Sequence, residues 1–161
     1  QEYLQNVLDT AKQLDAYDSG RIYYYLGEYQ KAYLALDEAR DKGGADSYLY
    51  LGRAYAATGD YNYASSVYNN YLSKQGPNAE IYNELGLCEM AKKEYQNALA
   101  AFQAGKQIEG NSLMQTLCFN EIVAYEYLED YQQAEVLMNA YLQNYPDDQA
   151  AIREQQFLST R

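Results

Sequence analysis

Apolar residues return along this chain at intervals of three and four, and no stretch sustains the two-residue alternation of a half-buried strand, so the pattern predicts helices and no sheet. A longer rhythm lies over the helical one. Four short strings recur: Gly27-Glu28-Tyr29-Gln30-Lys31-Ala32, Gly59-Asp60-Tyr61-Asn62-Tyr63-Ala64, Lys93-Glu94-Tyr95-Gln96-Asn97-Ala98 and Glu129-Asp130-Tyr131-Gln132-Gln133-Ala134. Their tyrosines are 32, 34 and 36 residues apart. In three of the four units a glycine stands nine residues before the tyrosine: Gly20, Gly52 and Gly86. Each falls inside a predicted helix, where glycine costs about 1 kcal/mol of propensity relative to alanine. A cost repeated at one register implies that a neighbouring helix must come close there. The alanine three residues after each tyrosine offers a second small surface, and a bulky side chain follows four residues later, at Leu36, Tyr68, Phe102 and Met138. Small positions let helix axes approach, and large ones fill the gaps.

Punctuation agrees with the period. Gly43-Gly44, Gly76-Pro77, Gly110-Asn111 and Tyr145-Pro146 end the units, and within each unit a turn separates two helices of roughly 12 to 15 residues, the second beginning near the recurring tyrosine. The expectation is one domain over 1–161, with repeats at about 13–44, 45–78, 79–112 and 113–148. A capping helix at about 148–158, with Asp147 or Asp148 as N-cap and a polar outer face, would shield the last repeat from water.

These strings resemble the tetratricopeptide repeat. The resemblance is carried by Tyr48-x-x-Leu51-Gly52-x-x-Tyr55, Gly59-Asp60-Tyr61-x-x-Ala64 and Tyr68, and again by Tyr82-x-x-Leu85-Gly86, Tyr95-x-x-Ala98 and Phe102. The first unit keeps Gly20, Tyr23, Gly27-Glu28-Tyr29 and Ala32. The resemblance implies an all-α solenoid of about four helical hairpins wound as a right-handed superhelix, used as a protein-binding scaffold. Two positions depart from it. Glu89 stands where the other units carry Tyr23, Tyr55 and Tyr125, and Ile122 stands in the glycine slot. The fourth unit must therefore pack differently, with a first helix expected near Ser112 to Leu128.

Composition narrows the function. Of 161 residues 48% are hydrophobic, and 21 are tyrosine, with no Trp and three Phe. The repeat spacing of these tyrosines assigns them to the core. A net charge of −11 repels nucleic acid and anionic membranes, and no apolar run approaches the ~20 residues of a spanning helix. The absence of histidine removes the commonest general base and most zinc sites. Cys88 and Cys118, thirty positions apart, read as buried small hydrophobes. Gly43-Gly44 lacks the lysine of a phosphate loop. The carboxylates Glu80 with Glu84, and Glu126 with Glu129 or Asp130, read as a solvated helix face. No catalytic, metal or cofactor residue is assigned, and an enzyme is the last of the function classes. Few lysines, an acidic pI near 4.3 and a Gln start resemble exported or surface-anchored bacterial proteins of this kind, more than cytoplasmic ones. That start also leaves room upstream for a leader, a lipid anchor or a longer native chain.

The resemblance places binding on the inner, concave wall lined by first helices. Positions three before, one after and four after the glycine slot share one helix face. They carry Tyr17, Arg21 and Tyr24; Leu49, Arg53 and Ala56; Asn83, Leu87 and Met90; and Phe119, Val123 and Glu126. Two of five arginines fall in equivalent slots, and arginine is suited to fork onto a carboxylate. The expected occupant is an apolar protein or peptide segment, a helix included, with an acidic group meeting Arg21 and Arg53. The opposing reading pairs these arginines with acids such as Asp18 or Glu84. A clamp for chaperone tails needs Lys and Asn in the inner slots, and only Asn83 and Asn120 answer to that. The alternatives are a receptor closing around a signalling peptide or small ligand, marked by a deep tyrosine-rich cavity, and a structural part that self-associates. Monomer or weak homo-oligomer is the expected state.

Overall fold

The computed structural model describes residues 2–10, 14–40 and 44–161, and among these every regular element is a helix. In chain order they are α1 (Glu2–Thr10), α2 (Ala16–Leu26), α3 (Tyr29–Glu38), α4 (Gly44–Ala57), α5 (Tyr61–Gln75), α6 (Ala79–Ala91), α7 (Tyr95–Lys106), α8 (Met114–Tyr127), α9 (Tyr131–Asn144) and α10 (Gln149–Leu158). The expected break at Gly43 and the start of the first repeat at Gln13 lie outside the described residues. Two compact units meet the Gly76-Pro77 break, Gln1–Gly76 and Pro77–Arg161. In the first, α2 packs on α3, α4 on α5, and α4 stacks on α3; in the second, α6 packs on α7 and α8 on α9, α8 stacks on α7, and α10 closes against α9. No described helix is long and apolar enough to cross a membrane.

The second helices α3, α5, α7 and α9 begin at the four recurring tyrosines because the turn before each one stops the preceding helix in the same way. Gly27, Gly59, Lys93 and Glu129 all have positive φ, at 80, 84, 64 and 61°. That left-handed residue closes the helix end: the amide of the next residue bonds back to the carbonyl of Tyr23, Tyr55, Glu89 or Tyr125, at 2.9 to 3.0 Å. Asp60 and Asp130 then cap the new helix through their side chains. Asp148 does the same for α10, its Oδ1 accepting from the Ala150 and Ala151 amides.

The small-against-large rule governs the packing inside each hairpin. A methyl added to Gly20 would lie 2.5 Å from Leu36 Cγ, one on Gly52 would lie 2.6 Å from Tyr68 Oη, and one on Gly86 would lie 2.6 Å from Phe102 Cδ1. The bulky residue of α3, α5 or α7 thus occupies the space that a side chain in the glycine slot would need. In the fourth repeat the order is exchanged. Ile122 fills the slot from α8, and the unbranched Met138, 0% exposed, bends into what remains.

Glu89, the other departure, is buried and paired with Lys92 at 2.7 Å. Glu121 is also buried, holding Lys106 by an ion pair and accepting a 2.9 Å hydrogen bond from Gln103. Both charges are therefore compensated, as buried charges must be. The tyrosines correct the expectation that they form the core: only Tyr48, Tyr68 and Tyr141 of the 21 are fully buried. Most others stand at the boundary, where a ring can be covered while its hydroxyl stays wet. They pack on each other there, Tyr33 stacked on Tyr55 at 4.4 Å and Tyr63 tilted against Tyr55 at 4.2 Å.

Candidate functional site

In the first unit, the α2 face expected to bind carries Tyr17, Arg21 and Tyr24 one turn apart, and α4 brings Asp46 and Tyr50 against it. The Arg21 guanidinium carbon lies 5.2 Å from the centroid of the Tyr17 ring and 5.2 Å from that of Tyr50. Tyr17 donates to Asp46 at 3.3 Å, and the hydroxyls of Tyr25 and Tyr50 share a 2.7 Å hydrogen bond. Tyr24 packs edge-on to Tyr25 and Tyr50. Neither Asp18 nor any other described carboxylate forms an ion pair with Arg21, and its Nε is buried with no hydrogen-bond partner. Burial opposes its charge, but the oxygens of Tyr17, Tyr50 and Tyr25 outweigh burial and hold the guanidinium above its ordinary pKa. Arg21 is thus a positive charge held in one orientation by aromatic faces.

Leu49, expected on this face, is only 3% exposed and serves as packing. Tyr50, one residue later, takes its place at the seam. The same one-residue offset recurs in the second unit: Asn83 is buried, and its Oδ1 accepts a 2.9 Å hydrogen bond from Asn120 Nδ2. Tyr50 and Asn120 each stand two residues before a glycine-equivalent slot, whereas Tyr17 and Asn83 stand three before theirs. Where one first helix packs beside the next, the second helix turns toward the seam the position one residue later than the first helix does. A single-helix face cannot show this, because it treats all helices as equally rotated. The signal available in the sequence was the polar or aromatic character of Tyr50 and Asn120 amid apolar neighbours.

Among the other expected residues, Arg53 is half-buried and already engaged with another group. Leu87 is 44% exposed. Met90 and Val123 are half-buried. Phe119 meets Tyr141 edge-on at 5.8 Å and lines a cavity of about 250 Å³ with Gln115, Thr116, Asn120, Asp148 and Ala150. Tyr141 donates to Asp148 Oδ2 at 2.7 Å, while Gln115 donates to Tyr141 at 3.1 Å, so the cavity wall is pinned to the start of α10. Burial first, then the hydrogen bond to Asp148, pushes the Tyr141 hydroxyl up to about 12.

Two chemical groups missed from the sequence lie elsewhere in the second unit. Cys118 and Lys106 line a cavity of about 280 Å³ between α7, α8 and α9. Cys88 and Cys118 are both free; burial raises both thiols, Cys88 to about 12, so neither carries thiolate at neutral pH. Glu126, expected on a solvated face, instead has Oε1 buried without a hydrogen-bond partner. Docking of α10 covers it, and that helix's Glu154 is the carboxylate it faces.

Sequence profiles described as tetratricopeptide repeat match residues 17–62 and 51–111, and a second profile of the same description matches 119–148. No curated protein sequence matches the chain. Among solved structures, a crystal structure of MamA protein is similar with a TM-score of 0.77 at 19% identity, over 89% of this chain and 78% of that one. A MamA RS-1 double mutant is similar with a TM-score of 0.76 at 18% identity, over 99% and 83%. The second repeat domain of the human RPAP3 protein, solved in complex with the HSP70 peptide SGPTIEEVD, has a TM-score of 0.65 at 17% identity, over 73% and 97%. At these identities the likeness is one of fold.

Proposed function

Because the chain belongs to the tetratricopeptide repeat family, we propose that it is an interaction scaffold whose first-helix faces hold a polypeptide segment combining apolar and acidic side chains. The observation that carries this reading is Arg21, fixed between Tyr17 and Tyr50 and in an ion pair with no described carboxylate, the nearby Asp46 being held by the Tyr17 hydroxyl. In a chain of net charge −11, which holds nearly two acids for every base, a cation that forms no ion pair with them is available to an acid supplied from outside. Leu87, Met90, Phe119 and Val123 supply apolar contact on the second unit's equivalent face, and half-buried Asn120, anchored to Asn83, keeps an amide group there for a peptide backbone. The acidic HSP70 peptide held by the RPAP3 domain is an example of such a ligand on this fold. This chain lacks the inner lysines expected of a chaperone-tail clamp, so the reading extends to acidic segments generally.

The test is selection from a random decapeptide display library on the intact chain and on the Arg21→Glu/Arg53→Glu variant. The intact chain should enrich peptides that place Asp or Glu near apolar residues. The variant should lose the acidic preference while keeping the apolar one. An acidic preference that survives the double charge reversal refutes the assignment.

A further inference from the structure

Tyr55, near the end of α4, has two close ring neighbours. Tyr33 of α3 lies parallel to it, with centroids 4.4 Å and planes 8° apart, and Tyr63 of α5 meets it at 4.2 Å and 39°. The next closest described pair, Tyr141 with Tyr145, is at 4.8 Å. None of the three rings is in the core: Tyr33 and Tyr55 are half-buried, and Tyr63 is 42% exposed. A phenol can give up a hydrogen atom, and the radical left behind carries its unpaired spin on the oxygen and on the ortho carbons beside it. Two such radicals join ortho carbon to ortho carbon. Encounter ordinarily limits that reaction, and rings already held in contact need none. The tilt selects the pair. It brings one edge of Tyr63 toward Tyr55, whereas the parallel Tyr33 keeps its whole ring at stacking distance. Burial first, and the Tyr63 hydroxyl next, push the Tyr55 phenol up to about 12, so the hydroxyl ends of the two rings are the ends that approach.

We propose that Tyr55 and Tyr63 form a site of oxidative cross-linking, at which a haem peroxidase supplied with hydrogen peroxide joins their ortho carbons as dityrosine. Exposed Tyr63 is where the oxidant arrives. It loses an electron and a proton to become a neutral phenoxyl, then takes the hydroxyl hydrogen atom of Tyr55, which leaves the radical on Tyr55. A second oxidation of Tyr63 completes the pair. The two radicals form one carbon–carbon bond, and the hydrogen on each bonded carbon moves through water to the phenol oxygen, restoring both aromatic rings. In sum, two electrons and two protons from the tyrosines reduce one peroxide to two waters. The bond spans the Gly59 turn, whose two sides are already held together by the Asp60 amide donating to the Tyr55 carbonyl at 3.0 Å. The backbone there is fixed while the rings react. The site belongs wholly to the first unit and stands whether or not the Arg21 face takes an acidic segment.

The experiment treats the full chain, at high dilution, with a haem peroxidase and hydrogen peroxide. Intact mass, dityrosine fluorescence of the monomer fraction and peptide mapping read the product. The parent should yield a monomer lighter by two hydrogens, its cross-link mapped to Tyr55 and Tyr63. Tyr55→Phe and Tyr63→Phe each keep a ring and so the packing, and each should lower monomeric dityrosine at least about tenfold. Tyr3→Phe removes a phenol that is 76% exposed and should leave the yield unchanged. A product formed only between molecules, a cross-link mapped to another pair, or a yield that survives the loss of either hydroxyl would overturn the assignment.

Discussion

Replacing Gly86 by alanine sets two effects of opposite sign against each other. Helix propensity alone predicts a gain of about 1 kcal/mol. The packing predicts a loss, because the new methyl would lie 2.6 Å from Phe102 Cδ1 and 2.7 Å from Cζ, against roughly 3.5 to 4.0 Å for carbons in contact. About 1 Å of separation must come from somewhere. Phe102 is 0% exposed, so its ring cannot swing out to solvent and the strain falls on the packing of α6 against α7. Overpacking of this kind costs about 1 to 3 kcal/mol, and a rigid ring against a helix backbone belongs at the upper end. The net expectation is a destabilisation of about 2 kcal/mol, or a fall in melting temperature of about 4 to 8 °C for a chain of this size. Urea and thermal denaturation followed by circular dichroism measure it. The decisive arm is the double variant. Phe102→Ala alone should cost about 3 to 5 kcal/mol, but in that background Gly86→Ala meets no ring and should stabilise by about 1 kcal/mol. A stabilising Gly86→Ala in the parent protein, or a penalty that persists once Phe102 is truncated, would refute the close-approach explanation of the repeated glycine.

Three further outcomes follow from other parts of the structure. Lys93 occupies the left-handed turn position that glycine fills in the first two repeats, so Lys93→Gly should stabilise the chain by about 1 kcal/mol despite glycine's greater freedom when unfolded, as measured by urea denaturation. Glu126 is pushed up to about 7 by burial first and by Glu154 second, with Tyr127, Glu129, Tyr131 and Arg161 its other titratable surroundings. The folded state then holds a proton that the unfolded state releases nearer 4.5, so this contribution to stability is complete below about 4.5 and is lost as pH rises through about 7. Glu126→Gln should flatten that loss, gaining roughly 1 to 2 kcal/mol at pH 8 after allowance for solvent screening, and a parent protein whose stability does not fall between pH 5 and 8 would contradict the placement. Lys106→Met removes the partner of buried Glu121 and should cost about 2 to 4 kcal/mol at pH 7.

What the chain shows before folding is whatever depends on near neighbours. The starts of α3, α5, α7 and α9 at Tyr29, Tyr61, Tyr95 and Tyr131, the Asp148 cap of α10 and the pairing of Gly20, Gly52 and Gly86 with Leu36, Tyr68 and Phe102 all follow from helical period and turn chemistry within about sixteen residues. Even the exception at Ile122 announced itself, since a branched side chain in a slot reserved for glycine requires a pliable partner, which Met138 supplies. The faces of those helices were another matter. How far a helix rotates about its axis is settled by the side chains it packs against, many of them distant in sequence. That rotation buried Leu49 and brought Tyr50 and Asn120 to the seams, where Asn120 meets the buried Asn83. It also left most tyrosines at the boundary, because a ring whose hydroxyl needs water gains by stacking on another ring at the surface. Glu126 shows the limit most plainly. Nothing within its own turn of helix distinguishes it from an acid in water; only the docking of α10, with Glu154 and Phe157, takes its oxygen out of solvent and gives it a carboxylate for a neighbour.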